Sequence, residues 1–378
     1  MRIGIDLFSF DKPGENFGVG PSVYVWHLLP KLFEYGKDIE FYIFGNKENE
    51  YLIPKADNVK IIIVPLPNRI RSTRIIHEQL FIPFFAKKYN LDMIHFLGNN
   101  ISFLLAKKSI ITVYDLMWKY YLDLGYKDLK YKYFLLTVPK SIKMAKGIIT
   151  ISSFIRQQVY EQFAKDLKHI VPILLAPCEL KQPDENQINI FEAQYNFKFI
   201  FTVTTSLPHK NLITLLKAFQ KLKSLRKYQG KLIVAGQLKG VFHNSINAFI
   251  KGNNLENEIM LAGFISEELK TYLYHKADFI VYPSLYEGFG LPVLEAISAG
   301  NVVLASHAAS IPEVGGEVCV YFDPLSVEDL LNKLQFLVEN PSWNEENQKK
   351  RLAHFNNFSW DKTAKETLAA YKYFEKQK

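Results

Sequence analysis

Short runs of apolar residues rich in Ile and Val recur along the chain, between longer stretches in which apolar residues follow a helical period. The runs are continuous rather than alternating, which is typical of strands buried on both faces of a sheet. The first half contains RIGIDLF, IEFYIF, KIIIV, LDMIHF, SIITVY, KGIITI and VPILLAP. The second half restarts the series with FIFTVT, KLIVAG, EIMLAG, ADFIVY, NVVLAS and VCVYF.

This double series of strands and helices predicts an α/β fold with two doubly wound, parallel-sheet domains of the Rossmann type. A length of 378 residues also favours two domains. We predict a first domain at 1–180 and a second at 181–359, with the polar stretch 181–196 as the linker. An amphipathic helix at 360–378 is expected to pack back towards the first domain.

Composition and charge narrow the class of protein. Hydrophobic residues make up 48% of the chain and charged residues 22%, as in a soluble globular protein. The first 180 residues hold 24 Lys and Arg against 17 Asp and Glu, so most of the net charge of +8 lies there. This bias indicates an anionic partner of the first half, such as a membrane surface, an acidic acceptor or nucleic acid.

Cysteine usage and the start of the chain indicate the compartment. Cys178 and Cys319 lie far apart in apolar runs, which is neither a disulfide framework nor a metal-binding pattern. The start MRIGIDLFSF lacks the features of a signal peptide, and no apolar stretch reaches the length of a spanning helix. We therefore expect a cytoplasmic protein, either soluble or on the inner face of the cell membrane.

The stretch EGFGLPVLEAISAG, residues 287–300, has the composition of a ligand-binding loop. It follows a predicted strand and leads into a predicted helix with Pro292 at its first position and Gly300 at its end. Gly288 and Gly290 leave the backbone open to a ligand, and the N–H groups and dipole of a helix start favour an anion. These features predict a phosphate cradle.

Two glutamates accompany this loop. Glu287 and Glu295 are separated by seven residues. Because carboxylates repel phosphate, we expect both to accept hydrogen bonds from neutral hydroxyls, which next to phosphates means ribose and sugar. The alternative is a glycine-capped loop whose acids only complement the helix dipole.

The stretch PSLYEGFGLPVLEAISAG, followed by NVVLAS and SIPEVGG, resembles the donor-site signature of retaining nucleotide-sugar glycosyltransferases with the GT-B fold. This is the glycosyltransferase family 4-like group, group 1, whose hallmark is Glu-x7-Glu. The resemblance continues in family order through GVGPSVYVWHLLP, HEQLFIPFFAKKYNLDMIHF, ITVYDLMW, ITISSFIR, PHKNLITLLKAF, LIVAGQ, LAGFISEELKTYLYHKADFIVYPS and FSWDKTA. It implies two Rossmann-like domains that face each other across a cleft.

The resemblance implies a role for each donor-site position. Glu295 would bind the ribose and Glu287 the transferred sugar, while Lys210 would pair with the phosphates and offset the charge of the leaving group. Backbone amides would hold the diphosphate and sugar hydroxyls at Gly288, Phe289, Gly290 and Leu291. The base pocket would be lined by Gly263, Phe264 and Ile265.

The phosphate-binding segment departs from the family pattern. Thr204 and Thr205 stand where family members commonly have a Gly and an Arg before the Lys. His209 is the nearby alternative cation, and it is mostly neutral at pH 7 unless its pKa is raised. Lys210 can also be read as an ordinary solvated lysine.

The first half supplies further candidates. Gly18 and Gly20 follow the first strand and precede a helix, so that they form either a plain turn or, by the resemblance, a loop that closes over the donor. Asp115 is a candidate for binding the acceptor or orienting a loop, or alternatively a helix N-cap.

Three aromatic or imidazole side chains complete the candidates. Tyr114 stands where the family often has a histidine that touches the sugar, and it is either an acceptor or sugar contact or a packed aromatic. His95 ends a strand and is expected to face the crevice and to contact the acceptor or sugar. His77, in a helical run, is expected to be structural.

No cofactor and no metal are expected. The sequence has no Asp-x-Asp and no zinc-like cluster, which argues against the metal-chelating class of sugar transferases. The resemblance implies a front-face displacement in which the leaving diphosphate takes the acceptor proton, and the protein contributes positioning and electrostatic stabilisation.

Residues 119–146 combine seven lysines with interleaved tyrosines and two acids. This composition suits the surface of an anionic bilayer, and it also suits single-stranded nucleic acid or a plain solvated helix face. Basic residues that extend the patch are Arg69, Arg71, Arg74, Lys107 and Lys108.

These observations together predict a retaining glycosyltransferase. It would move a mannose-type, glucose-type or related hexose from a nucleotide diphosphate sugar to a glycan acceptor, expected to be lipid-linked, in surface polysaccharide or lipopolysaccharide assembly. One alternative is a catalytically silent binding protein on the same scaffold, which Tyr114, Thr204 and Thr205 keep open. The other is a basic nucleic-acid-binding protein, although no nucleic-acid partner is expected if the resemblance holds.

Overall fold

The computed structural model describes residues 1–10, 19–67, 71–118, 129–164 and 166–377. It divides the chain into two compact units. Unit 1 comprises Met1–Ala176 together with Phe358–Lys378, and unit 2 comprises Pro177–Asn357. The last helix therefore belongs to the same unit as the start of the chain.

Strands and helices alternate through the described part of unit 1. The strands are β1 (Arg2–Asp6), β2 (Glu40–Gly45), β3 (Val59–Ile63), β4 (Met93–Phe96), β5 (Ser109–Val113), β6 (Gly147–Thr150) and β7 (Ile170–Pro172). The α-helices before residue 177, among the residues that the structure describes, are α1 (Val19–Tyr35), α2 (Arg71–Ile76), α3 (Ile82–Lys88), α4 (Leu129–Met144) and α5 (Ser153–Phe163). A π-helical turn, His77–Phe81, joins α2 to α3.

The strands of unit 1 form one parallel sheet, and in the described residues its order is β3-β2-β1-β4-β5-β6-β7. Ile3 and Ile5 of β1 are fully buried, as expected for a strand covered by helices on both faces. β1 pairs with both β2 and β4, so the direction of winding reverses between β1 and β4. This reversal is the switch point at which open α/β sheets bind ligands.

Unit 2 repeats the same architecture. Its strands are β8 (Phe199–Val203), β9 (Lys231–Ala235), β10 (Ile259–Gly263), β11 (Phe279–Tyr282), β12 (Val303–Ser306) and β13 (Val320–Phe322). Its helices are α6 (Glu185–Gln194), α7 (Leu212–Ser224), α8 (Val241–Gly252), α9 (Glu267–Lys276), α10 (Leu291–Ser298), α11 (Ile311–Gly315), α12 (Val327–Glu339) and α13 (Ser342–Phe355).

The sheet of unit 2 is also parallel over the described residues, in the order β10-β9-β8-β11-β12-β13, with its switch point between β8 and β11. On one face its core joins Leu216 and Phe219 of α7 to Leu330 and Leu334 of α12, all fully buried. The predicted fold class, two doubly wound parallel-sheet domains, is confirmed, and each predicted apolar run contains one strand. The run VPILLAP is strand only at its start, because β7 ends at Pro172.

The polar stretch 181–196, predicted to be a linker, instead contains helix α6 within unit 2. Asp184 caps this helix through a reciprocal pair of bonds with Gln187, 2.8 Å and 2.9 Å long. Such a capping box satisfies two backbone donors at the helix start, so a helix forms despite its polar composition. Phe191 then packs against Tyr272 of α9.

The final helix, α14 (Trp360–Lys376), packs on unit 1. Trp360 stacks on His27 of α1, with 5.3 Å between the ring centroids. Phe374 packs so close to Gly147 of β6 that a side chain there would collide with its ring. Glycine at this position therefore allows α14 to approach the sheet.

His95 of β4 lies under α14 and not in a crevice. Its ring is fully buried, with Nδ1 2.6 Å from the Tyr371 hydroxyl and Nε2 2.7 Å from Oγ1 of Thr112. This placement contradicts the predicted contact of His95 with the acceptor or sugar, because a ring without exposed surface and with both nitrogens engaged offers a ligand no atom. Its function is to bond the last helix to the sheet.

Within the described residues, no helix combines the length and the apolar character that crossing a bilayer requires.

The buried His95 is expected to make unit 1 less stable at acidic pH. Burial lowers the pKa of His95 from 6.5 to about 3. Between these values the unfolded chain binds a proton that the folded chain does not, so the free energy of unfolding falls as the pH decreases, by up to about 1.4 kcal/mol per pH unit. Tryptophan fluorescence follows this unfolding, because Trp26, Trp118 and Trp360 belong to unit 1.

The variant His95→Gln should unfold with a shallower pH dependence between about pH 6 and pH 3 than the wild type. His169→Gln, at a half-buried histidine of the same unit, is the matched control. An unchanged slope in His95→Gln would contradict the assignment.

Candidate functional site

The carboxyl ends of β8 and β11, at the switch point of unit 2, bring two of the predicted donor-site residues, Lys210 and Glu287, together. The loop after β8 carries Lys210, and the loop after β11 carries Glu287. Neighbouring parallel strands place their following loops at the same edge of the sheet. Lys210 and Glu287, which are 77 residues apart in the sequence, are therefore in direct contact.

Lys210 and Glu287 form an ion pair with 2.7 Å between Nζ and Oε1. Their side chains are 18% and 14% exposed, so the pair is largely shielded from water. The hydroxyl of Tyr282, the last residue of β11, donates to the same carboxylate oxygen at 2.8 Å. Glu287 is thus held by one lysine and one tyrosine.

The charge state of Glu287 follows from these contacts. Burial by itself would raise the pKa of this carboxyl group, but the charge and hydrogen bond of Lys210, together with the hydrogen bond of Tyr282, hold it below its ordinary value. Glu287 is therefore an ionised hydrogen-bond acceptor at neutral pH.

Local structure fixes the loop after β8, which carries Lys210. The 3-10 turn Pro208–Lys210 ends at Asn211, which adopts the left-handed conformation with φ 55°. The Asn211 side-chain amide donates to the carbonyls of Pro283 at 3.1 Å and Pro324 at 2.9 Å. This amide ties the loop after β8 to the strand ends beside it.

The glycine loop ends in a helix start, as predicted. Gly290 caps α10 with φ 112°, a left-handed conformation that favours glycine, and Pro292 lies in the first turn. The Ser310 hydroxyl lies 2.9 Å and 2.8 Å from the carbonyl oxygens of Glu287 and Phe289. Because the first amides of a helix have no intrahelical acceptor, this end can hold an anion.

Glu295 has the same kind of support on α10. Lys270 of α9 lies with Nζ 3.3 Å from its Oε2, and the Tyr274 hydroxyl donates to Oε2 at 3.1 Å. Burial would lower the pKa of Lys270, but Glu295 and Glu267 raise it above its ordinary value. Each predicted glutamate is therefore paired with one lysine and one tyrosine.

His209 adds no positive charge to the phosphate-binding segment. Burial, with a smaller effect of Lys210, lowers its pKa to about 4, so the imidazole is neutral at pH 7. In the sequence TTSLPHKN, residues 204–211, Lys210 is then the cation. Thr204 is buried, and its amide donates to the Ala235 carbonyl at 2.8 Å.

The predicted base-pocket residues lie at the carboxyl end of β10, where Gly263 is the last residue of the strand. Gly263 has φ 67°, and its carbonyl accepts the amide of Gly236 at 2.7 Å. Gly236 lies so close to Thr204 that any side chain would collide with the Thr204 carbonyl. The loops after β8, β9 and β10 therefore meet at one edge, where Phe264 is 83% exposed and Ile265 is half-buried.

The candidates of unit 1 are placed differently. Gly18 lies outside the described residues, and Gly20 lies in the first turn of α1. Tyr114 is buried, and its hydroxyl donates to the Leu97 carbonyl at 2.8 Å. Asp115 accepts the Met117 amide at 2.9 Å, the local bond of a side chain at a helix start.

Sequence reasoning missed the residues that support the two glutamates. Lys270 and Tyr274 are four positions apart on α9, a spacing that puts two side chains on one helix face and was available as a signal. For Tyr282 the sequence predicted only a position in a buried strand. Ser310 has no sequence signal, because its contact with the glycine loop depends on the path of the chain after β12.

No group of three or more His, Cys, Asp or Glu side chains with metal-binding geometry occurs in the portion of the chain that the structure describes.

Comparison with known proteins adds three findings. Residues 183–374 match the family model described as glycosyl transferases group 1. The O-antigen chain mannosyltransferase B of Escherichia coli is 32% identical over 238 residues, which is 62% of this chain and 62% of that protein. The serotype-specific mannosyltransferase WbdA of Escherichia coli is 29% identical over 168 residues, which is 44% of this chain and 21% of that protein.

The chain therefore spans about three fifths of the first relative and about a fifth of the second. In fold it is similar to Anabaena HepE, crystallised in complex with UDP and glucose, with a TM-score of 0.72 and 15% identity. That similarity covers 98% of this chain and 99% of HepE. At this identity it shows a shared fold.

Removing Lys210 should destabilise unit 2 because it leaves a buried carboxylate without its cation. We expect Lys210→Met to cost about 3 kcal/mol, and the double variant Lys210→Met with Glu287→Gln to regain most of that loss. Hydrogen exchange of amides in β8 and β11 measures the change. Lys221→Met is the control, since its partner Glu328 is exposed and such pairs contribute about 0.5 kcal/mol. Equal losses for both single variants would contradict the role of the buried pair.

Proposed function

Because the chain belongs to the glycosyl transferases group 1 family, we propose that it transfers a hexose from a nucleotide diphosphate sugar to a glycan acceptor. The observation that carries this proposal is the arrangement at the switch point of unit 2. There an ionised Glu287, a lysine and the start of α10 lie on adjacent loops. The carboxylate of Glu287 is suited to sugar hydroxyls, the lysine to phosphate, and the start of α10 to an anion.

In this proposal each group of the site has one task. Lys210 donates one hydrogen to Glu287 and keeps two for diphosphate oxygens. Glu287 accepts hydrogen bonds from the transferred sugar, and Glu295 accepts those of the ribose. The amides of 288–291 hold the diphosphate, and the loop of Gly263, Phe264 and Ile265 receives the base.

The chemical step is proposed as a front-face displacement with retention. The bond between the anomeric carbon and the diphosphate oxygen breaks, the bond to the acceptor oxygen forms, and the acceptor proton passes to the diphosphate. Lys210 and the helix dipole offset the charge that develops on the leaving group, so the step needs no metal. The protein supplies orientation and electrostatic stabilisation.

The names of the relatives favour particular substrates. Both Escherichia coli proteins are mannosyltransferases, and one acts on the O-antigen chain. We propose mannose or a related hexose as the transferred sugar, and a lipid-linked glycan of surface polysaccharide or lipopolysaccharide assembly as the acceptor. The nucleotide is left to experiment, since the base loop presents an exposed phenyl ring that stacks on any base.

Variants of the two glutamates test the division of tasks. Glu295→Ala should weaken nucleotide binding by about tenfold or more, because hydrogen bonds to a charged acceptor contribute about 1.5–3 kcal/mol. Glu287→Ala should reduce hexose transfer more than it reduces binding. Binding is read from thermal stabilisation by UDP, GDP, dTDP and ADP, and transfer from the corresponding sugars.

Glu317→Ala, at an exposed acid of unit 2, should leave both quantities unchanged. The anomeric configuration of the product, read from proton NMR couplings, and activity in EDTA test retention and metal independence in the same assay. Equal losses of binding and transfer in the two variants would overturn the assignment of tasks.

Membrane attachment is proposed through an apolar patch on unit 1. We define this apolar patch by its exposed side chains, which are Ile76, Leu80, Phe84, Leu104, Leu135 and Leu136. The side-chain amide of Gln79 donates to the Ile101 carbonyl at 3.0 Å, and Lys140 lies over the Phe103 ring at 4.4 Å. These contacts join the three segments that carry the patch.

The surroundings of the apolar patch are basic. Lys107, Lys140 and Lys143 are exposed near it, and the single acid of residues 71–88, 101–108 and 129–146 is the buried Glu78. Apolar side chains accompanied by exposed lysines on the same segments suit an anionic bilayer surface. Residues 119–128, which belong to the predicted membrane surface, lie outside the described residues, as does Arg69.

Charge inserted into the apolar patch should release the protein from membranes. The double variant Leu104→Asp with Leu136→Asp is expected to lower the fraction that sediments with vesicles of phosphatidylcholine and phosphatidylglycerol by about tenfold. Leu325→Asp is the matched control, because Leu325 is equally exposed but lies in unit 2. The same sedimentation of all three proteins would contradict the proposed attachment.

A further inference from the structure

The loop of residues 97–102, which follows β4 at the switch point of unit 1, carries buried polar groups without partners. Asn100 is 3% exposed, and neither the nitrogen nor the oxygen of its side chain has a hydrogen bond. The Oδ1 atom of Asn99 and the Oγ atom of Ser102 are likewise buried and unpaired. Each such group costs about 1–3 kcal/mol, so folded proteins seldom keep one without a use.

This loop is well fixed by its neighbours. The Leu97 carbonyl accepts the Tyr114 hydroxyl at 2.8 Å, and the Ile101 amide donates to Oγ of Ser141 at 3.3 Å. Gln79 holds the far end of the loop, since its side chain donates to the Ile101 carbonyl and accepts the Phe103 amide, both at 3.0 Å. The unpaired side chains therefore belong to a rigid backbone, which is what a preorganised binding site requires.

An arginine lies over the same loop. A side chain at Gly98 would come within 3.0 Å of Nη2 of Arg74, so glycine leaves room for the guanidinium group. Nε of Arg74 donates to Oε1 of Glu78 at 2.8 Å, and among the described residues it is the one Arg74 nitrogen with a hydrogen-bond partner. The two terminal nitrogens of Arg74 have no hydrogen-bond partner among the described residues, and the Arg74 side chain is 20% exposed.

Charged neighbours hold this arginine in place. Glu78 is buried, and Asp6 at the end of β1 accepts a hydrogen bond from Nε2 of His77 at 2.9 Å. Burial would raise the pKa of Asp6, but the charge and hydrogen bond of His77 lower it below its ordinary value. Burial would lower the pKa of Arg74, but Glu78 raises it above its ordinary value. Among the described residues, the charged guanidinium group is thus anchored through Nε.

We propose that the loop 97–102 and Arg74 form the acceptor subsite, in which Asn99 and Asn100 bind hydroxyls of the glycan and Arg74 binds a phosphate oxygen of its lipid link. The inference rests on the proposed glycosyltransferase function. A carboxamide both donates and accepts, as a sugar hydroxyl does, and the fork of a guanidinium group matches phosphate. Tyr114, which bonds the Leu97 carbonyl, is then a positioning residue of this subsite.

The variant Asn100→Leu separates a binding function from a structural one. Replacing an unpaired buried amide by an apolar side chain of similar size should leave the melting temperature unchanged or raise it. If Asn100 binds the acceptor, the same variant should raise the acceptor KM by about tenfold or more and leave the donor KM unchanged. A residue needed only for folding would show the opposite pattern, with a lower melting temperature and an unchanged acceptor KM.

The acceptor probes are octyl glycosides of mannose, glucose, galactose and N-acetylglucosamine, each compared with the same sugar linked through a diphosphate to a short alkyl chain. Arg74→Lys keeps the charge but loses the fork, so it should reduce the preference for the diphosphate form while use of the octyl glycosides is kept. The double variant Arg74→Gln with Glu78→Gln removes the pair without leaving a buried charge and should abolish that preference.

The outcomes distinguish this inference from the proposed function. Transfer by the wild type with an acceptor KM of Asn100→Leu within twofold of the wild type overturns the subsite and leaves the function standing. Nucleotide binding without transfer to any probe also overturns the subsite as stated. If no nucleotide stabilises the wild type, the proposed function itself fails.

Discussion

The pairing of Lys210 with Glu287 is the constraint on which unit 2 depends. Two charges that are both largely buried are favourable only when their geometry is good and other hydrogen bonds complete their shells. The Tyr282 hydroxyl donates a further hydrogen bond to the Glu287 carboxylate. Asn211 fixes the loop that carries the lysine, and Ser310 fixes the loop that carries the glutamate. The path of the chain around the switch point can be understood as the means of keeping these two side chains 2.7 Å apart.

Much of the fold and part of the site were predictable from the sequence, for physical reasons that particular residues make clear. Continuous apolar runs identify strands buried on both faces, so both sheets were foreseen. The run LDMIHF also placed His95 correctly on a strand, but it could not say that the strand is covered by α14, whose Tyr371 lies 276 residues later in the chain. Polar composition suggested a linker at 181–196, and the capping box of Asp184 with Gln187 outweighed it.

The supports of the glutamates show a second limit of sequence reasoning. Glu287 and Glu295 were recognisable because they lie close together in one motif, whereas Lys270 and Tyr274 approach Glu295 from another helix. Both switch points hold buried polar groups. Buried charges are paired in both units, as Lys210 with Glu287 and Arg74 with Glu78, and in unit 1 the amides of Asn99 and Asn100 also keep unpaired atoms at a cost in stability. For the proposed reaction, paired charges suit a diphosphate and unpaired amides suit the neutral hydroxyls of a glycan.

The return of α14 to unit 1 affects how the protein is made. Unit 2 is a continuous segment of the chain, whereas unit 1 is closed by Phe358–Lys378, which leave the ribosome only after the whole of unit 2. Until then α1 lacks the indole of Trp360, His95 lacks the Tyr371 hydroxyl, and the surface of β6 at Gly147 is open to other chains. Domains usually fold in the order of their synthesis, from the N-terminus. Here the unit that starts first finishes second, and its exposed apolar surface during translation is a natural target for chaperones.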